Sequence, residues 1–172
     1  MAKKKSLPKI FISYSEFDEK HDRGRLSALC KRLLDEVRLQ TGENWPVFLD
    51  RDTIKTGENW KSNVQEALEN SDILIALITP NYFKSQGCRH EIEGFLNKEK
   101  QSERKPLIIP IMYLGSQDRL AQDELGKEVI KRDLLDWRDL RFEPFTSPRL
   151  KREMEKAASA ISDAIEASDS GD

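Results

Sequence analysis

Cys88, His90, Glu91 and Glu93 fall within a single stretch of six residues, where thiol, imidazole and carboxylate chemistry are all conceivable. At about 100° per residue, Cys88, Ile92, Phe95 and Leu96 share one apolar arc of a helix, with Glu91 on its flank and Glu93 nearly opposite. Glu93 is therefore an ordinary solvated residue. Glu91 has two readings. It is either a half-exposed flank carboxylate, or a carboxylate tucked beside apolar groups near a strand end, where burial tunes its basicity toward a ligand. A Cys88 nucleophile with His90 as its base is disfavoured, because residues two apart on a helix face different directions. His90 and Glu91 also open like a zinc-protease helix, but Gly94 stands where the second histidine belongs and the other histidine, His21, is distant. No metal site is expected.

The elements that must position this helix alternate in type. Lys9 to Ser13 is a short apolar run of the strand kind, followed by Leu26, Leu29, Cys30, Leu33, Leu34 and Val37 at helical spacing. Pro46 to Asp50 reads as a second strand, and after Gly57 the residues Trp60, Val64, Ala67 and Leu68 form the inner face of another helix. Asp72 to Thr79 is apolar on both pleat faces, which marks a central strand covered on each side, and Pro80 closes it. The helix bearing Glu91 follows, then a strand over Pro106 to Met112 whose Pro110 suggests an edge or bulged position. Gly115 to Asp133 reads as a loop with a short helix, Leu134 to Trp137 as a brief last strand, and a helix starts near Pro148. The pattern predicts an α/β fold: a flavodoxin-like, doubly wound, mostly parallel five-stranded sheet with helices on both faces. In such sheets ligands sit beyond the carboxyl ends of the strands, which places Glu91 on the ligand-binding edge.

Composition removes several classes of function. The 172 residues suit one domain over residues 8–167, between a basic N-terminal tail, 1–7, and a polar tail, 168–172, expected to be disordered or a severed linker. Lys+Arg 29 against Asp+Glu 31 gives a net charge of -2, which lacks the clustered cationic surplus of a nucleic-acid binder. No apolar run approaches the roughly 18 to 20 residues of a membrane span, and the N-terminus has no secretion-signal core, so a cytoplasmic chain is expected. Cys30 and Cys88 both fall on apolar helix faces and are expected to be free thiols. Ser13 and Tyr14 after the first strand, with Thr79 ending the third, leave no acidic pair and no phosphate-accepting Asp, which excludes a response-regulator receiver. No glycine-rich loop follows Ser13, which excludes dinucleotide-fingerprint and P-loop chemistry.

Four pieces in order and at fitting spacing resemble the TIR (Toll/interleukin-1 receptor) domain family, in its bacterial form. They are Ile10 to Tyr14 for the first box, Val47 to Asp52 with Ile54 and Gly57 to Trp60 for the second strand and its BB loop, Asp72 to Tyr82 for the third strand and its exit, and Cys88 to Glu91 for the start of the third helix. The family's late Phe-Trp pair has no clear counterpart; Phe142 to Phe145 is a loose echo. The resemblance implies two functions of different class. One is NAD+ nucleosidase activity, with nicotinamide and ADP-ribose or a cyclic ADP-ribose isomer as products, Glu91 as the catalytic residue and NAD+ as substrate rather than cofactor. The other is a non-catalytic adaptor that associates with other TIR domains. The same resemblance carries over Tyr14, Ser15, Arg51, Asp52, Ile54 and Cys88 as substrate-binding residues. It also implies homo-oligomers or filaments built through the BB loop and a role in antiviral defence signalling, while the polar tail after Ala167, if a cut linker, leads to the expectation of a sensor or oligomerising domain beyond it. One departure stands out: family enzymes commonly carry an aromatic four residues ahead of the Glu, where this chain has Gly87, so a stacking surface must come from elsewhere, Tyr82 or Phe83 being the candidates.

Overall fold

The computed structural model describes residues 5–49, 60–103 and 107–169. In chain order the elements are β1 (Ile10–Ser13), α1 (Glu16–His21), α2 (Arg25–Thr41), β2 (Val47–Leu49), α3 (Trp60–Asn70), β3 (Ile73–Ile78), α4 (Gln86–Gln101), β4 (Leu107–Met112), α5 (Gln117–Leu120), α6 (Glu124–Ile130), β5 (Leu135–Asp136), a 3-10 turn (Arg138–Phe142) and α7 (Pro148–Asp169). The strands form one parallel sheet in the order β2-β1-β3-β4-β5. The expected five-stranded, doubly wound architecture is therefore present.

The period of two along each strand divides the core into two layers. Ile10, Ile12, Ile73, Ile75, Leu77, Ile109 and Ile111 face α2 and α7, while Phe11, Leu74, Ala76, Ile78, Ile108 and Met112 face α3, α4 and α6. Handedness accounts for this sorting. The chain moves from β1 outward to β2 through α2, then reverses across β1 to β3 through α3 and continues through α4 to β4. Right-handed crossovers in opposite directions must lie on opposite faces. β3 is buried at every residue, because both of its faces are covered. Each fully buried Ile or Leu in these layers contributes roughly 1.5–3 kcal/mol relative to exposure.

Local signals set the ends of the long helices. α2 stops at Gly42, whose φ of 71° is the left-handed conformation and whose N–H closes on Arg38 at 2.8 Å. α4 starts at Ser85, whose hydroxyl accepts from the Cys88 N–H at 3.3 Å. Pro110 lies within a ladder, paired alongside Ala76, and its placement follows from parity. The N–H groups of Leu107 and Tyr113 reach β3, so Pro110 turns its missing donor to the other side. There the two-residue β5 begins only at the level of Ile111, and no ladder bond is lost.

Four details depart from the sequence reading. Residues 16–21 form a helix that no apolar repeat announces, since its Phe17 is 67% exposed. The region expected to hold one short helix holds two, α5 and α6. α7 continues through Asp169, so the start of the expected tail is helical. At the other end, Leu7 of the expected basic tail packs against the α2 and α7 core layer.

Candidate functional site

The order β2-β1-β3 makes the gap beyond the carboxyl ends of β1 and β3 the topological switch point of the sheet. Three segments converge there: the end of β1 at Ser13, the turn from Thr79 to Ser85 leaving β3, and the first turns of α4. Ser13 shares the pleat face of Phe11, which looks toward α4. On α4, Cys88, Ile92 and Phe95 sink into the α3/α4 core layer and carry Glu91 with them. Glu91 is 2% exposed and Glu93 is exposed, so of the two readings of Glu91 the structure selects the tucked carboxylate over the half-exposed flank.

A buried carboxylate needs hydrogen-bond donors, because an unsatisfied one loses its hydration without return. The Ser13 hydroxyl donates to Glu91 Oε2, and the same Oγ lies 2.8 Å from the Tyr82 hydroxyl. Tyr82 is held by its surroundings: its ring is fully buried, meets Phe83 edge-on at a centroid distance of 5.2 Å, and its N–H donates to Thr79 Oγ1 at 3.1 Å. Thr79 in turn donates to Asp18 Oδ2, and Asn81 Nδ2 donates to Asp18 Oδ1 at 2.9 Å. The helix α1 thus clamps the β3 exit turn through one buried aspartate, and that turn presents Tyr82 to Ser13 and Glu91. A serine, a tyrosine and a carboxylate arranged in this way can hold a negative charge in a fixed place at the edge of the sheet.

The TIR domain family profile matches residues 10–151. The chain belongs to the TIR domain family. Solved structures agree in fold. The TIR domain of the Toll-related receptor TRR-2 from Hydra magnipapillata is 21% identical, with a TM-score of 0.51 over 84% of this chain and 96% of that one. The TIR domains of the activated Roq1 resistosome, a structure described as directly recognizing the pathogen effector XopQ, are 16% identical, with a TM-score of 0.51 over 88% of this chain and 84% of theirs. No match was found among curated protein sequences.

Within this TIR domain the residues expected to bind substrate are dispersed. Cys88 is fully buried one helical turn before Glu91, and Ser15 is buried at the start of α1. Tyr14 is also buried, but its ring belongs to the α2/α7 core layer, on the face of the sheet opposite Glu91. Arg51, Asp52 and Ile54 lie outside the described residues, as do Asp50, Gly57 and the side chain of Trp60. Tyr82 and Phe83, the candidates to replace the missing aromatic, are both buried and packed on one another. At Gly87 itself the nearest atom to an added Cβ is Ser85 Oγ at 3.9 Å, so the position has room for a side chain. His90 points away from Cys88, with Nε2 3.1 Å from Gln65 Oε1 at the exposed surface. Cys30 is buried on the inner face of α2, and that burial pushes its thiol up from the ordinary range, helped by the nearby Glu19 carboxylate.

Two functional-looking residues escaped the sequence reading. Asp18 sits in a run of charged residues and only its contacts with Thr79 and Asn81, more than 60 positions away, single it out. Asp22, at the C-terminal end of α1, ties distant segments together: Arg141 donates to it twice, at 2.9 and 3.0 Å, and Tyr113 at the end of β4 donates to Oδ2. The Arg141 bond holds the Asp22 carboxyl at about 2 against the partial burial that opposes ionisation, and burial with the neighbouring Asp22 pushes the Tyr113 phenol up.

Proposed function

We propose that this TIR domain cleaves NAD+ between nicotinamide and ribose, with Glu91 as the catalytic residue, and that it does so when copies associate. The observation that supports this reading is the burial of one carboxylate at the switch point of the sheet, oriented by the Ser13 hydroxyl. Nicotinamide is a neutral leaving group expelled from a cationic pyridinium, so the glycosidic electron pair neutralises the ring and no general acid is required. What remains is an oxocarbenium-like ribose, which an ionised carboxylate stabilises. Water then attacks the anomeric carbon to give ADP-ribose, or an atom of the adenine does so to give a cyclic isomer. NAD+ is the substrate and no further cofactor enters. Assembly through the segment after β2, residues 50–57, and a part in bacterial defence signalling complete the proposal; both rest on the resemblance stated above.

The test is nicotinamide release from NAD+ by the concentrated chain, with association enforced by fusion to an oligomerising partner. Glu91→Gln, which keeps the volume and removes the charge, is expected to lose at least about 100-fold in turnover. Unchanged turnover in that variant refutes the role of Glu91. The second reading is a non-catalytic TIR–TIR interaction module, favoured by Gly87, which offers no ring where family enzymes carry one. Clear self-association with no turnover in the enforced oligomer decides for it.

A further inference from the structure

We propose that Tyr82 and Ser13 form a one-way hydrogen-bond relay that fixes the Glu91 carboxylate in direction, making both of them positioning residues for the reaction proposed above. The direction follows from counting donors. With Glu91 ionised, as the reaction proposed above requires, Ser13 spends its one hydroxyl proton on Glu91 Oε2. The contact of 2.8 Å between Ser13 Oγ and the Tyr82 hydroxyl can then be made only with Tyr82 as donor. Each hydroxyl polarises the next, so the carboxylate is oriented by a chain rather than by a single bond.

The relay is anchored at both ends. Ser13 lies on β1, paired in register with Ala76 of β3, so its position is set by the sheet. Tyr82 cannot swing away, because its ring is buried against Phe83 and its N–H is tied to Thr79, which Asp18 holds from α1. Tyr82 therefore has a task other than stacking on a ligand: its hydroxyl faces the carboxylate through Ser13, and its ring belongs to the core.

Two measurements test this, and one needs no turnover. In a chain carrying 13Cζ-labelled tyrosine, the Tyr82 resonance, assigned by Tyr82→Phe, is expected to move in Ser13→Ala and also in Glu91→Gln, while Tyr14 and Tyr113 stay in place. A Tyr82 resonance indifferent to both substitutions overturns the relay whether or not the chain is an enzyme. In the nicotinamide-release assay, Ser13→Ala is expected to lower kcat roughly 10- to 100-fold, the scale of a hydrogen bond to a charged group, with KM changed less than about twofold. Ser13→Thr, which restores a hydroxyl on a strand, is expected to recover most of that loss. Because Tyr82 acts through Ser13, adding Tyr82→Phe to Ser13→Ala is expected to cost no more than Ser13→Ala alone. Multiplying losses in the double variant, or full activity in Ser13→Ala, overturns the positioning role while leaving that of Glu91 intact. An inactive parent chain with a responsive Tyr82 resonance sinks the enzymatic reading instead.

Discussion

Replacing Asp22 by Asn removes one charge from the C-terminal end of α1 while keeping its size. The carboxylate is only 13% exposed and receives a two-pronged grip from Arg141, itself 21% exposed, together with the Tyr113 hydroxyl. Its folded-state value of about 2 against an ordinary 3.8 makes the ionised form worth roughly 2 kcal/mol to the fold at neutral pH, taking about 1.36 kcal/mol per unit. Since the folded value is depressed, this contribution is fully present above the unfolded value and is lost as pH falls from about 4 through about 2. At pH 3 about half of it remains. With a urea slope of about 2 kcal/mol/M, Asp22→Asn is expected to lower the unfolding midpoint by about 1 M at pH 7, and by distinctly less at pH 3. The unpaired Arg141 adds a cost that does not vary over this range, so the pH-dependent part of the difference carries the test. A gap between parent and variant that is the same at pH 7 and pH 3 refutes the charge-based account.

Further outcomes follow from other positions. Gly87→Trp is expected to fold as stably as the parent, because an added Cβ meets nothing nearer than Ser85 Oγ at 3.9 Å, and to raise nicotinamide release severalfold by providing a ring at the mouth of α4; thermal melting and the release assay read both. Gly126→Ala places a methyl 2.0 Å from the Leu120 carbonyl oxygen, so α6 must shift and the melting temperature is expected to drop by about 5 °C, seen by calorimetry. Cys30 and Cys88 are fully buried, and Cys30 is held protonated by its burial, so a thiol reagent at pH 8 is expected to label neither in the native chain and both in denaturant.

How far the sequence reaches depends on whether a signal is local. The apolar arcs of α2 and α4, the doubly buried run of β3 and the alternation of strand with helix all lie within windows of a few residues, and these elements form where their periodicity places them. Pro110 suggested an edge or bulged position, but β4 is neither: it pairs with β3 in unbroken register and with β5 on its other side, and the proline is tolerated because β5 begins only beside Ile111. The helix α1 was not legible, because its fixing interaction is the buried Asp18 beneath Thr79 and Asn81 rather than an apolar face of its own. The choice between the two readings of Glu91 was equally out of reach. Residue type and helical angle bring it to the flank of a buried arc, whereas its burial depends on the end of β1 lying beside β3, across 78 positions of chain. Ser13 carries no mark of its own in the sequence, being one serine at the end of an apolar run. Strand order, which local periodicity does not encode, turns it into the donor that a buried carboxylate requires.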